Sequence, residues 1–230
     1  MGRIDESIAD IESIDDGTER AFQLAGLIST LFKLKGIVLI VTGQLAFDCY
    51  ANSTSTKPEL EMASLNGKLT PRLLQEVMAG QLAAKGLLTR WTVANVPIHF
   101  QNETLDGLHG TFRDFNTENG VVKLFPAEDI VADRILAATY PVVNFEAQTQ
   151  ARLLLINALT EAYAMDWPSL HNLCHQPDYR IGEELAQMRA AAKKDVDAMG
   201  IAPDPVVHVT TQTLPTIKKP RPGDELANLY

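Results

Sequence analysis

The first residues of the chain alternate between apolar and acidic positions. Isoleucines recur at spacings of four and three, which is typical of a short amphipathic helix: Ile4, Ile8, Ile11 and Ile14. Residues 1–17 therefore form an acidic N-terminal segment, which either docks on a partner protein or is a frayed terminus. A second helix is predicted to begin after an N-cap at Thr18 and to end at Gly36.

The next apolar segment predicts a strand, a glycine turn, a helix and a second strand. Residues 37–41 are all apolar, as in a strand buried on both faces. Thr42, Gly43 and Gln44 then lead into a helix over 44–50. After a polar loop, a strand over 57–64 carries Glu59 and Glu61 between apolar residues.

The remaining pattern separates a mixed region from a helical one. Thr70-Pro71 predicts a helix start, and the glycine after Lys85 predicts its end. Strands are predicted over 88–94 and 96–101 and in a hairpin over 110–125 that turns at Glu118-Asn119-Gly120. Four helices then follow, over 127–139, 146–164, 167–176 and 181–199.

These elements predict an α/β (α+β) protein. A small mixed β-sheet of about five strands, flanked by helices, is followed by a C-terminal helical subdomain. The expected divisions are an α/β domain over 18–126, a helical subdomain over 127–200, and an extended tail rich in proline over 201–230. A cleft between the sheet and the helical subdomain would hold a ligand.

Composition limits the functional classes. The net charge of −9 gives no broad positive field, so binding to duplex DNA is disfavoured. No apolar segment approaches the roughly 20 residues that cross a bilayer, and the charged first residues do not form a signal peptide. Two cysteines suit a reducing compartment, and we expect a cytoplasmic protein.

The glycine turn and the glutamate strand carry the candidate chemistry. Residues i and i+2 of a strand share a face, so Glu59 and Glu61 would present two carboxylates side by side. Such a pair suits Mg²⁺ and a nucleoside triphosphate, while the free N–H groups that begin the helix after Gly43 suit a phosphate. The alternative is a strand with one solvated face.

The order of these elements resembles the nucleotidyltransferase fold, which includes DNA polymerase β, minimal nucleotidyltransferases and the toxins of some abortive-infection systems. Gly43-Gln44 resembles the Gly-Gly/Ser turn of that superfamily, and Thr56 resembles the threonine before its acidic strand. Glu59-Leu60-Glu61 stands where Asp-x-Asp is expected. Two later stretches, at 124–134 and 166–170, are similar to helical segments of the minimal and toxin-like branch.

The resemblance implies roles for individual residues. Glu59 and Glu61 would hold Mg²⁺ and act in catalysis with His99, which lies on the strand that usually supplies a third carboxylate. A nucleotide would bind at a set of polar and basic residues: Thr42, Gly43, Gln44, Thr56, Lys57 and Arg134. Arg134 would face the triphosphate or form a surface ion pair with Glu128 or Asp129.

The chain departs from the superfamily pattern at several of these positions. Gln44 puts a long side chain where a phosphate would approach, and both aspartates are replaced by glutamates. His99 replaces the third carboxylate, and Pro58 is inserted before the acidic strand. A separate pair, His171 and His175, has a spacing that can bind zinc, although a plain helix surface is the preferred interpretation.

Two functions are compatible with these motifs and departures. The first is Mg²⁺-dependent transfer of a nucleotidyl group from a nucleoside triphosphate to a hydroxyl, weakened by the departures. The second is a catalytically inactive protein of the same fold that acts as a binding or regulatory partner, for example in a toxin–antitoxin or defence system. Its protein partner would bind residues 1–17 or the tail over 201–230.

Overall fold

A computed structural model describes residues 3–53, 58–105, 108 and 110–200. Eight helices lie within these residues: α1 (Arg3–Glu12), α2 (Gly17–Leu34), α3 (Gly43–Ala51), α4 (Pro71–Leu74), α5 (Ala127–Thr139), α6 (Phe145–Leu159), α7 (Trp167–Cys174) and α8 (Gly182–Met199). A π-helical turn, Gln75–Ala79, continues α4. Thr56, Lys57 and the tail over 201–230 lie outside the described residues.

The described strands form one mixed sheet. They are β1 (Leu39–Thr42), β2 (Leu60–Ser64), β3 (Lys85–Leu87), β4 (Arg90–Val93), β5 (Val96–Thr104), β6 (Arg113–Thr117) and β7 (Gly120–Leu124). Their order across the sheet is β3-β4-β5-β2-β1-β7-β6. β2 pairs antiparallel with β1 and parallel with β5, so the predicted glutamate strand is central. The predicted α/β class with a mixed sheet and a helical C-terminal part is confirmed.

Alternation along the central strands sorts their side chains onto two faces. Val41, Met62 and Phe100 are fully buried and belong to the hydrophobic core. The ring of Phe32 on α2 packs against Phe100 with 5.6 Å between centroids, which places α2 on this face. Because successive residues of a strand point in opposite directions, Thr42, Glu61 and His99 project from the other face.

The N-terminal segment packs on the chain itself. Ile11 of α1 is buried in the core, and Ile4 and Ile8 pack against it. Three of the four isoleucines of this segment are thus covered intramolecularly, while Ile14 lies after the end of α1, so a partner binding to α1 would meet its acidic face. The second helix begins one residue before Thr18, because the Asp16 carboxylate accepts the N–H of Glu19 at 2.8 Å and caps it.

The middle of the chain differs most from its sequence-based prediction. The helix predicted from 71 to 85 ends at Ala79, because α4 widens into the π-helical turn over Gln75–Ala79. Gly86, expected to close this helix, instead lies in β3, which the sequence pattern did not indicate. The hairpin predicted at Glu118-Asn119-Gly120 is present as β6 and β7, with Glu118 and Asn119 between the strands.

A buried ion pair joins the sheet to the helical part of the chain. Nη2 of Arg113, on β6, donates to Oε1 of Glu128, on α5, at 3.0 Å. The same carboxylate oxygen accepts the N–H of Asp166 at 2.9 Å, and the Arg113 guanidinium also donates to the carbonyl of Ala164. The Arg113 guanidinium lies over the rings of Tyr50 and Tyr163, at 5.3 and 5.8 Å from their centroids. We call Tyr50, Arg113, Glu128 and Tyr163 the Arg113 cluster.

None of the helices that the structure describes has both the length and the hydropathy needed to cross a membrane.

The Arg113 cluster predicts a large loss of stability when its carboxylate is removed. The Glu128 side chain is fully buried, and that of Arg113 is 15% exposed. Glu128→Ala leaves the guanidinium without its counter-charge, and we expect the free energy of unfolding in urea to fall by about 3–5 kcal/mol.

The neighbouring residue of β6 supplies a matched control. Asp114 pairs with Lys123 at the surface, with a side chain that is 55% exposed. Asp114→Ala should lower the free energy of unfolding by less than about 1 kcal/mol, because solvent screens this pair. Equal losses in the two variants would contradict a joining role for the Arg113 cluster.

Candidate functional site

The site begins at the junction of β1 and α3. Gly43 has a φ of +65°, a left-handed conformation that side chains rarely adopt. Thr42 occupies the N-cap position with an extended backbone, and its side chain makes no capping hydrogen bond. The first N–H groups of α3, at the positive end of the helix dipole, thus lack a cap from the Thr42 side chain.

Strand pairing brings two other predicted residues level with this turn. Glu61 on β2 lies directly opposite Thr42 on β1, and His99 on β5 lies opposite Glu61. Directly paired residues project from the same face, and adjacent strands are about 4.8 Å apart. Thr42, Glu61 and His99 therefore form one row across the sheet.

The Glu61 carboxylate lies against the glycine turn. A Cβ atom added to Gly43 would be 2.4 Å from Oε1 of Glu61 and 2.5 Å from its carboxyl carbon. Only glycine leaves room for this approach. Glu61 is half-buried, and its carboxylate forms no hydrogen bond or ion pair within the residues that the structure describes. Among the residues that the structure describes, an acidic group without a counter-charge thus lies beside the beginning of α3.

Glu59 is placed differently from Glu61. It precedes the first paired residue of β2, Leu60, and it is exposed. Among the described residues, no group of three histidine, cysteine or acidic side chains is arranged to hold a metal ion. Of the predicted acidic pair, Glu61 therefore lies inside β2, and Glu59 lies just before its first residue.

Gln44 is turned along α3. Its Nε2 donates to Oδ1 of Asp48, one helical turn later, at 2.8 Å. The Ser53 hydroxyl donates to the same oxygen at 2.8 Å, while Oδ2 of the buried Asp48 has no hydrogen-bond partner within the described part of the chain. The long side chain that the sequence placed in the path of a phosphate is tethered to Asp48 in this structure.

Arg134 packs against α3 and does not form the expected surface pair with Glu128. Its guanidinium lies over the ring of Phe47, 5.7 Å from the centroid, and its buried Nε has no hydrogen-bond partner among the described residues. Glu128 is bound by Arg113 instead, because α5 turns its first residues toward β6. Phe47 stands one turn after Gly43, so Arg134 lies along the same helix as the glycine turn.

The sequence pattern did not indicate two further residues on the sheet face that carries Thr42, Glu61 and His99. Nε2 of Gln101, two positions after His99 on β5, donates to Oγ1 of Thr42 at 3.2 Å. Arg90 on β4 lies directly opposite His99 and is exposed. Period-two alternation along β5 would have found Gln101, and the turn at 94–95 would have placed Arg90 beside His99.

The other candidate groups lie elsewhere or are chemically inert. The His171 and His175 rings stack on each other at 4.1 Å, and Nδ1 of His175 is 2.7 Å from the His171 carbonyl. Both are exposed on α7 and its C-cap, in agreement with the preferred helix-surface interpretation. Burial raises the pKa of the Cys49 thiol to about 12, so this residue of α3 is protonated at neutral pH and is not a nucleophile.

Comparison with known proteins gives similarity in structure alone. No protein-family model matches the chain, and no curated protein sequence gives a significant match. One similar solved structure is an antigenic nucleotidyltransferase-like protein from Paracoccidioides brasiliensis, with 15% identity, a TM-score of 0.49, and coverage of 80% of this chain and 92% of that one. Another is the antibiotic-resistance factor ANT(2'')-Ia, with 15% identity, a TM-score of 0.36, and coverage of 75% and 91%.

At 15% identity and with TM-scores below 0.5, neither structure carries an argument about this chain, so the roles of individual residues depend on its own geometry.

The contact between Gly43 and Glu61 should affect the free energy of unfolding, which can be measured. Gly43→Ala must adopt a positive φ and must also push the Glu61 carboxylate aside, and we expect it to cost about 1–2 kcal/mol or more in urea unfolding. Gly36 is a matched control, because it has a φ of +77° with nothing within 4 Å of its added Cβ.

Replacing Glu61 by alanine should remove the extra cost of Gly43→Ala over Gly36→Ala. A coupling of about 0.5 kcal/mol or more between positions 43 and 61 is expected, with none between 36 and 61. If Gly43→Ala costs the same with and without the Glu61 side chain, the carboxylate does not lie against the turn.

Proposed function

We propose that this protein is a nucleotidyltransferase that binds a nucleoside triphosphate with Mg²⁺ at the row of Thr42, Glu61 and His99. The observation that carries this proposal is the Glu61 carboxylate lying against the Gly43 turn, with its Oε1 2.4 Å from the position of an added Cβ. One acidic group and one helix beginning are thereby placed within reach of the same triphosphate.

The beginning of α3 supplies the phosphate contacts. The Thr42 side chain does not cap its first N–H groups, and this end of the nine-residue helix is the positive end of its dipole. Gly43 allows a phosphate to approach the backbone, and the tether between Gln44 and Asp48 keeps the glutamine amide turned along the helix. Thr56 and Lys57 remain predicted phosphate contacts.

The acidic residues fit a magnesium ion. Mg²⁺ is commonly held by one or two carboxylates together with substrate phosphates, and the Glu61 carboxylate is uncommitted within the described part of the chain. Glu61 and Glu59 would hold the ion. When bound, it would stabilise the negative charge that develops on the triphosphate during transfer.

His99 would act as the general base that takes the proton of the acceptor hydroxyl. In the proposed reaction, an acceptor hydroxyl oxygen forms a bond to the α-phosphorus, the α–β phosphoanhydride bond breaks, and pyrophosphate leaves with that electron pair. The hydroxyl proton passes to the imidazole of His99, which is paired directly with Glu61 across the strands. Arg134, along α3, would supply positive charge near the leaving group, whereas Arg90, beside His99, would lie on the acceptor side.

A second candidate is an inactive protein of the same fold that binds nucleotide without transferring it. The observation that favours this candidate is the absence, among the described residues, of a group of three acidic, histidine or cysteine side chains able to hold a metal. The strand that would supply a third carboxylate carries His99 and Gln101 on this face. Such a protein would act through a partner.

Several sequence predictions remain parts of this proposal. A protein partner would bind the acidic face of residues 1–17 or the tail over 201–230, as in a toxin–antitoxin or defence system. The compartment is predicted to be the cytoplasm, and duplex DNA is predicted not to bind, in agreement with the net charge of −9.

Titration calorimetry with ATP and CTP tests the proposed site. The wild-type chain should bind at least one nucleotide more tightly with Mg²⁺ than without it. Glu61→Gln keeps the shape of the side chain but removes its charge, so the Mg²⁺-dependent part of the affinity should fall about tenfold or more. Glu118→Gln, on the exposed β6–β7 turn, is the control and should bind like the wild-type chain.

Release of pyrophosphate separates the two candidate functions. Mg²⁺-dependent binding with pyrophosphate release that is lost in Glu61→Gln supports the transferase. The same binding without release, in the presence of an extract that supplies acceptors, supports the inactive partner. A nucleotide affinity that changes neither with Mg²⁺ nor with Glu61→Gln would contradict the proposed site.

A further inference from the structure

A run of exposed apolar side chains lies in the connection between α5 and α6. Residues 140–145 are all exposed. The exposed fraction is 72% for Tyr140 and 75% for both Val142 and Phe145. Residues 135–145 contain no charged residue, whereas 21% of the whole chain is charged. This connection is therefore an apolar surface without the charges that are usual on a solvated loop.

The exposed connection marks one end of the helical part. The connection is short, so α5 and α6 run antiparallel, and the beginning of α5 lies at the opposite end from residues 140–145. Glu128, in the first turn of α5, accepts the N–H of Asp166. Asp166 and the adjacent Trp167 therefore also lie at that opposite end.

α8 runs from the opposite end back toward the exposed connection. The Arg189 guanidinium lies over the Trp167 ring, 4.1 Å from its centroid. Farther along α8, Asp195 pairs with Arg152 in the middle of α6. The same direction brings Met199, the last residue of α8, beside the beginning of α6, and Met199 is 57% exposed. We call this group of side chains the α5–α6 patch: Tyr140, Val142, Val143, Phe145 and Met199.

The α5–α6 patch has the size of an interaction site. Of the eleven large apolar side chains that are exposed within the described residues, five belong to it. A single aromatic side chain covers roughly 150–250 Å², so the patch exposes on the order of 500 Å² of apolar surface. Monomeric proteins rarely expose more than a few hundred Å² in one patch unless a partner or another segment binds there.

The chain that follows α8 carries a matching segment. α8 ends at Gly200, which has a left-handed φ of +65°, and residues 201–230 follow. Residues 205–217 contain no aspartate, glutamate, lysine or arginine, and they include Val206, Val207 and Val209. Charged residues are depleted in the cores of protein interfaces. The uncharged segment of the tail thus suits the uncharged patch beside which the tail begins.

We propose that residues 205–217 dock on the α5–α6 patch of the same chain, with their valines against its apolar side chains. The axes of packed helices lie about 8–10 Å apart, and residues 201–204 span up to about 14 Å when extended. The segment therefore reaches the patch while α8 stays in place. A short tether also gives it an effective concentration in the millimolar range, which favours it over a separate molecule.

Paramagnetic broadening by a spin label in the tail tests this proposal in the full chain. Thr211→Cys provides an attachment site within residues 205–217. Burial raises the pKa of the Cys49 and Cys174 thiols to about 12, so both stay protonated at neutral pH and the label attaches at position 211. The amides of Val142 and Phe145 should broaden relative to the same chain with its label reduced.

Substitutions that place a charge in the contact should abolish this broadening. Val142→Asp changes the patch at a side chain that is 75% exposed, so the core is left intact, and Val207→Asp changes only the tail. Val121→Asp, at a side chain on β7 that is 47% exposed, and Ala227→Asp, beyond the docking segment, add the same charge elsewhere and should keep the broadening. Broadening that persists in Val142→Asp and Val207→Asp would overturn the proposal.

A mixture of two chains distinguishes the chain's own tail from other occupants. Isotope-labelled chains without a spin label are mixed with spin-labelled chains that carry no isotope label, and no broadening is expected. Broadening in the mixture would show that the patch binds the tail of a second copy. Absence of broadening in the chain that carries both labels would leave the patch to a separate partner. Either result would overturn the proposal, and both are independent of the proposed nucleotide site because no nucleotide is present.

Discussion

The register of β2 between its two neighbours determines the geometry of the site. β2 pairs antiparallel with β1 and parallel with β5, and these pairings set Thr42, Glu61 and His99 at one level. A slip of one residue would turn Glu61 into the core and expose Met62, which is fully buried. The burial of Leu60 and Met62 therefore fixes where the Glu61 carboxylate emerges.

A second constraint joins the helical part of the chain to the sheet. The Arg113 cluster holds β6, α3, α5 and the segment before α7 around one buried ion pair. This arrangement commits Glu128 to Arg113 and leaves Arg134 against Phe47 on α3. The same packing that attaches the helices thus determines which cation lies along the helix of the glycine turn.

Local signals explain what could be predicted from the sequence, and contacts between distant residues explain what could not. The apolar segment before Thr42, the glycine turn and the acidic strand lie close together in the chain, so their order was readable. Gln101 reaches Thr42 from 59 residues away, and a neutral amide carries no charge signal. Arg90 was readable in principle, because the predicted turn at 94–95 pairs it with His99, whereas no local signal marked the π-helical turn after α4.

Paramagnetic broadening of amide resonances by Mn²⁺, used in place of Mg²⁺ with ATP, would locate the metal and the triphosphate relative to the row. We predict that the amides of Gly43, Glu61 and His99 broaden first, and that this broadening requires ATP and the Glu61 carboxylate. Broadening confined to the acidic residues of α1, with the amides around Gly43 and Glu61 unaffected, would contradict a nucleotide site at this turn.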